Sequence, residues 1–369
     1  MRKRPDLYTN YRSESSIFPT TFQKVWFGLL LITAFAAPFI LSSYWILLIT
    51  TSLLIAIASW GLNVVSGYAG QVNLGHGVFV GIGTYVSSVL GGVATTSVIG
   101  YELDMLIWLP LSGLAATFIG IILSPVSARL KGLNLGLVTL ALVFIGSHFF
   151  SNLKFITGGA GLGRKAAKLT FMGVDLEAGI TFGNVILEKN DFIYFFSLIL
   201  CVLLGLGVKN MTRSKIGRAF SAIRDRDIAA EALGINLFKF KMYAFGISSF
   251  YGGIAGSLLF TLSGGVEPGS FSLLYSITFV AIVIIGGVGT VLGPLFGAFF
   301  FTMLPGIIQA LLHAFGVADS GFILNPAEIE RILFAFFIIF FLIFEPRGMW
   351  GIWFRLRNYF KAWPFSYCL

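Results

Sequence analysis

The sequence predicts an all-α polytopic membrane protein of about ten transmembrane helices, several broken by glycine, with both termini cytoplasmic. Three observations lead there. Of the 369 residues, 57% are hydrophobic and 11% charged, where a soluble domain carries roughly 25% charged residues. Residues Val25 to Tyr101 form a run of 77 without one Asp, Glu, Lys or Arg. Several windows exceed the ~20 apolar residues needed to cross a ~30 Å hydrocarbon layer.

The apolar windows fall at 25–43, 45–65, 72–92, 106–128, 132–150, 191–210, 238–262, 270–290, 293–313 and 330–345. Charge sets their direction, because Lys and Arg accumulate in cytoplasmic loops. With the N-terminus inside, 19 of the 25 basic residues lie inside; Lys154, Arg164, Lys165, Lys168, Lys189 and Arg331 lie outside. The formal charge of +9 is then a membrane-orientation signal. No basic helix interleaved with aromatics points to nucleic acid.

The chain opens with a polar lead to about Lys24. Ala34-Phe35-Ala36 resembles a signal-peptidase site, but the apolar run continues through Pro38 to Leu41, which reads as an uncleaved first span. The next segment, "GYAGQVNLGHGVFVGIGTY" at 67–85, places six glycines around Gln71, Asn73 and His76. Non-helical backbone cannot face lipid; it is tolerated where protein or water surrounds it. Two compatible readings stand: Gly77 and Gly81 allow close helix packing, or the break and its polar groups line a translocation pathway. For His76 alone, a satisfied core histidine is an equal reading.

The longest outer segment, Ser151–Asn190, contains "TGGAGLGRK" at 157–165. A phosphate-binding loop requires Lys followed by Ser or Thr, whereas Gly163 is followed by Arg164, Lys165 and Ala166. The stretch reads as a flexible glycine loop at a membrane surface. The inner segment Gly217–Gly234 reads as a short amphipathic helix, too polar to span. Arg224, Asp227 and Glu231 share one stripe at i, i+3 and i+7, Ile216, Ala219, Ile223 and Ala230 occupy another side, and Gly234 sits where a C-terminal cap belongs. Solvated surface charge would explain that pattern by itself. Late in the chain, "GGVGTVLGPLFGAF" at 286–299 repeats the glycine theme. Gly289, Gly293 and Gly297 recur every four residues, and Pro294 is expected to interrupt the helix, as a packing stripe, a broken helix or both.

Catalytic and metal patterns are lacking: no HExxH, GxSxG, CxxC or paired carboxylates, so no enzyme activity, cofactor or metal is expected. His148 and His313 stand alone near span ends, and Cys201 and Cys368 are too few for a framework. From Pro268 to Leu312, 45 residues carry no charge, which leaves no mid-membrane proton relay. Energy for uphill movement must come from another subunit.

Six stretches carry a resemblance: "GLNVVSGYAGQVNLGHGVFVGIGTY" (61–85), "RLKGLNLGLVTLA" (129–141), "FITGGAGLG" (155–163), "GRAFSAIRDRDIAAEALGIN" (217–236), "GGVEPGSFSLLYSI" (264–277) and "IIGGVGTVLGPLFGA" (284–298). In this order they resemble the M-type (Liv-type) permease of branched-chain amino acid ABC importers, over about residues 50–352. Ala160 stands where the family often has Pro. The resemblance implies a second, H-type permease, two ATPase subunits and an extracytoplasmic binding protein, all at a bacterial cytoplasmic membrane. The spans and their orientation bound a permease domain at 25–346 between cytoplasmic tails 1–24 and 347–369. "EALG" at 231–234 matches the coupling loop of such importers, so the resemblance gives Arg224, Asp227, Glu231 and Gly234 an ATPase-coupling role within 214–236. Permeases for urea and short amides are close relatives. An autonomous channel for a small neutral solute is the alternative from outside the family.

Overall fold

The computed structural model describes residues 21–362 apart from 131, 162, 178, 183, 184, 315–325 and 346. The first twenty residues of the predicted tail, and Cys368, lie outside the described residues. The helices are α1 (Thr21–Ile40), α2 (Ser43–Asn63), α3 (His76–Leu90), α4 (Met105–Arg129), α5 (Leu133–Asn152), α6 (Lys189–Arg213), α7 (Lys215–Asp225) and α8 (Asp227–Ala232). They continue with α9 (Leu237–Ser263), α10 (Leu273–Gly286), α11 (Gly293–Ala314), α12 (Pro326–Phe344) and α13 (Gly348–Ala362), besides a single helical turn at Lys154–Thr157.

Among the described residues, seven helices are long and apolar enough to cross a membrane: α1, α2 with its extension to Tyr68, α4, α5, α6, α9 and α11. The chain is thus an all-α polytopic membrane protein. Two predicted spans are corrected. The 72–92 window is helical only from His76 to Leu90, and the 270–290 window only from Leu273 to Gly286. At 1.5 Å per residue these helices reach about 21–23 Å, short of the ~30 Å hydrocarbon layer. Backbone explains both. The residues before His76 leave the helix, and α10 lies between a 3₁₀ turn at Pro268–Phe271 and Gly287, whose φ is +124°.

Helix α9 is the centre of the bundle, packed against α2, α3 and α4, while α2 also packs on α6 and α11. Small residues permit this. A Cβ on Gly253 of α9 would come within 2.7 Å of the Ala116 Cβ and 2.8 Å of the Ser112 carbonyl, both on α4. Gly83 of α3 presses on Gly253 from another side, and Gly256 presses on Val80. Such close backbone approach, with little side chain between the helices, is how membrane helices gain dispersion contact.

The bundle has two dissimilar ends. At one, the Ser151–Asn190 segment is built rather than loose, which corrects the flexible-loop expectation. Its strands are β1 (Arg164–Lys165), β2 (Thr170–Phe171), β3 (Val174–Asp175), β4 (Ile180–Phe182) and β5 (Val185–Leu187). β1 pairs antiparallel with β6 (Gly265–Val266), Arg164 opposite Val266. Gly158, Gly159, Gly161 and Gly163 all have positive φ, which wraps the loop around the Arg164 side chain. That buried guanidinium donates to the carbonyls of Ser88, Ile99 and Ile156. Burial pulls the Arg164 pKa below its ordinary value.

The other end carries α7, α8 and α13. The predicted single helix over 217–234 is two helices, because Arg226 is extended (φ −156°, ψ 103°). Asp225 and Asp227 flank the break, and the Asp227 carboxylate accepts from the Ile228 N–H, the local competition that makes Asp a poor helix-interior residue. Arg224 therefore lies in the last turn of α7, while Asp227 and Glu231 belong to α8, and the three share no stripe. Of the 347–369 segment, residues 348–362 form helix α13. Gly348 (φ +65°) lies against the Ile284 and Ile285 carbonyls, and Trp350 against Gly287, so α13 seats on the end of α10.

Candidate translocation and coupling site

The last turn of α2 widens into a π turn, Val64–Tyr68. The chain then leaves helical geometry, with Gly70 at φ +66°, and re-enters it at His76. Local bonds account for the break: the Gln71 N–H reaches the Val65 carbonyl at 3.0 Å. The Leu74 N–H donates to Thr139 Oγ1 of α5 at 3.0 Å, and Asn73 Oδ1 accepts from the Gly75 N–H at 2.9 Å. π turns inside helices recur at functional sites.

A second break, residues 287–292, faces the first. Gly289 adopts φ +73°, and Thr290 Oγ1 donates to the Gly287 carbonyl while accepting from the Gly293 N–H. Pro294 stands at the start of α11, so it begins a helix where it was expected to interrupt one. Gly297 lies against the Ile282 carbonyl and Gly293 against those of Gly286 and Gly287: packing stripe and broken helix coexist. Asn63 of α2 staples the breaks together. Its Oδ1 accepts from the Gly289 N–H and its Nδ2 donates to the Thr290 carbonyl, both at 2.8 Å. Trp60 Nε1 donates to the Val291 carbonyl at 2.6 Å. These bonds satisfy backbone groups that lipid could not. Sequence reasoning passed over Asn63 and Trp60. The usable signal was that Asn63 is the sole amide side chain of α2, placed just before the glycine segment.

Gln71, Asn73 and His76 are brought together at the first break, and all three are buried. They differ in satisfaction. His76 Nε2 pairs with the Ala58 carbonyl at 2.8 Å, Nδ1 faces Ser248 Oγ at 3.5 Å, and the ring meets Phe279 edge-on. Neither amide atom of Gln71, nor Asn73 Nδ2, finds a partner among the described residues. Gly77 donates its N–H to Ser276 Oγ of α10 at 3.1 Å, and Gly81 meets the Phe150 and Phe271 rings. Gln71 lines a cavity of about 190 Å³, together with Ala69, Leu135, Arg224, Asp227 and Lys241.

The helix pair that flanks this cavity is anchored on one side and bare on the other. Ser214 caps α7, its Oγ accepting from the Ile216 N–H at 3.1 Å. Ala219, Phe220 and Ile223 are buried, as is Ala230 of α8. Arg224 Nη1 donates to the Gly67 carbonyl at 3.0 Å. Gly234, at φ +82°, closes α8. Its N–H reaches the Glu231 carbonyl, and the Ile235 N–H reaches that of Ala230, the paired bonds of a Schellman cap. Glu231 faces outward, and Ile228 and Leu233 are 75% and 81% exposed.

Residues 44–342 match the family of the branched-chain amino acid transport system, permease component. The chain is 30% identical, over 89% of its length and 75% of theirs, to two proteins named high-affinity branched-chain amino acid transport system permease protein LivM. One is from Salmonella typhimurium LT2 and one from Escherichia coli K12. It is 25% identical to the permease BraD of Pseudomonas aeruginosa PAO1, over 80% of this chain and 91% of that one. No solved structure matches at a significant level. The uncharged core, the order of the six motifs and a match running from α2 into α12 converge: the chain belongs to the branched-chain amino acid transport permease family.

Proposed function

We propose that this chain is the membrane-spanning permease subunit of a binding-protein-dependent ABC importer for branched-chain amino acids, in a bacterial cytoplasmic membrane. Ten crossings, with the short helices α3 and α10 each completed across the membrane by the non-helical segment beside it and both termini inside, place the α7–α8 end in the cytoplasm and the Arg164 end outside. A second, H-type permease completes the pathway, two ATPase subunits dock inside, and a binding protein delivers substrate outside. Gln71 and Asn73 line the pathway at the first break, and His76 secures the helix start beside them.

One observation supports this reading above the rest. Helix α8 presents Ile228, Glu231 and Leu233 outward, on a segment bonded to the broken membrane helices. Exposed apolar side chains outside the membrane mark a partner surface, and an autonomous channel has no use for one. Removing one partner of a buried interfacial charge pair costs about 2–5 kcal/mol, and truncating an apolar anchor adds to that loss.

Glu231→Ala and Leu233→Asp both act on exposed positions, so the permease should fold and insert as before. Each should weaken co-purification with the ATPase subunits and abolish ATP-driven uptake of radiolabelled leucine in proteoliposomes. Wild-type association and uptake in both variants would return the segment to a solvated surface. Uptake of urea or acetamide in place of leucine would move the assignment to the amide importers.

A further inference from the structure

Arg224 sits in the outward-looking helix pair yet turns the other way. Its Nη1 donates to Gly67, the carbonyl of the π turn. A Cβ added to Gly70 would come within 2.7 Å of its Cγ, and one added to Gly289 within 3.0 Å of its Nη1. One side chain from the cytoplasmic segment thus lies on both breaks, which Asn63 already joins. Its ion pair with Asp225, at 3.5 Å, is solvent-exposed and contributes little. A guanidinium suits this place because it stays charged and offers several donors in one plane.

We propose that Arg224 is a latch, holding the inner ends of the two broken helices shut until displacement of α7 and α8 draws it off Gly67. This rests on the reading of α8 as the ATPase-docking surface, and divides the segment by role. Glu231 and Leu233 face a partner protein. Arg224 is a positioning residue that faces the permease's own pathway. Release exposes the buried Ala69 and Gln71 that line the cavity's inner wall.

The test places Ala69→Cys, a buried position, in a chain carrying Cys201→Ala and Cys368→Ser, within the full complex in inside-out vesicles. A membrane-impermeant maleimide then reports access from the cytoplasmic face. With Arg224 intact the thiol is protected. Arg224→Ala should speed labelling about tenfold or more, a loss of roughly one charged hydrogen bond, while ATPase co-purification is retained and leucine imported per ATP falls. Arg224→Lys keeps the charge without the planar fork and should shift labelling the same way; it decides the matter if the alanine variant does not assemble. Unchanged labelling in both variants overturns the latch. So does loss of ATPase co-purification, which would make Arg224 a docking residue. Labelling needs no transport, so a wild-type complex that never imports leucine refutes the proposed function and leaves the latch to be decided by access.

Discussion

Gly253 offers a stringent check on the packing. It lies where α3, α4 and α9 cross, and its missing side chain is what lets three backbones converge. A methyl at this site would stand 2.7 Å from the Ala116 Cβ and 2.8 Å from the Ser112 carbonyl. Ordinary contacts begin near 3.4 Å, so α9 and α4 would have to separate by more than half an ångström. In isolation, Gly→Ala within a helix gains about 1 kcal/mol; forcing an extra methyl into a filled core costs about 1–3 kcal/mol. The second effect should win, by up to about 2 kcal/mol, because one obstacle is a backbone carbonyl that no rotamer change can move. Gly253→Ala should therefore lower the thermal unfolding midpoint in detergent by several degrees, on a scale of roughly 2–4 °C per kcal/mol. Gly28→Ala, inside α1 and meeting nothing within 4 Å, should leave the midpoint unchanged or raise it. Ala116→Gly combined with Gly253→Ala should recover part of the loss, a coupling that a double-mutant cycle isolates. Equal midpoints for Gly253→Ala and wild type, or strict additivity in the cycle, would refute the close crossing.

Gln71→Leu with Asn73→Leu should cut leucine uptake while leaving assembly and ATPase association intact; unchanged uptake kinetics would remove these amides from the pathway. Arg164→Met leaves three backbone carbonyls without their donor and should cost about 2–3 kcal/mol. It should be read as faster amide exchange across residues 91–103 and 156–166, which Arg164→Lys does not restore because it lacks the planar fork. Lys165→Cys and Lys215→Cys, both on exposed side chains, should react with an impermeant maleimide from opposite faces of the membrane. Labelling from one face alone would break the proposed topology.

The long spans were legible because hydrophobicity reports burial in lipid directly; α4, α6 and α9 begin and end within three residues of their predicted limits. The two short helices were overextended for the opposite reason. Residues 69–75 and 287–292 are uncharged, as a span is, and what removes them from the helix is glycine at positive φ plus bonds to Asn63, Thr139 and Thr290. Asn63 and Thr139 are distant in sequence from the backbone they bond. The same holds for Arg164, whose three acceptors lie on separate segments. The break at Arg226 was nearer to hand, since Asp225 and Asp227 flank it, but a stripe counted across it looked like helix. Gly234 was readable because a helix cap is a local event.

The bundle is held by different chemistry along its length, and this bears on where it can move. At the Arg164 end, backbone is clamped by a guanidinium on three carbonyls and by the β1–β6 pair. Through the middle, glycines bring α3, α4 and α9 to backbone distance, and close-packed contact of that kind resists gradual deformation. At the opposite end, few side-chain bonds join the two breaks: Asn63 to Gly289 and Thr290, Trp60 to Val291, and Arg224 to Gly67. Each contributes on the order of 1–3 kcal/mol, an energy within reach of a docking subunit. A pull on α8 reaches this region through one short helix, α7, and meets hydrogen bonds there before it meets packed core. Motion should then begin at the breaks, with the glycine crossing acting as the fixed point around which the inner ends part.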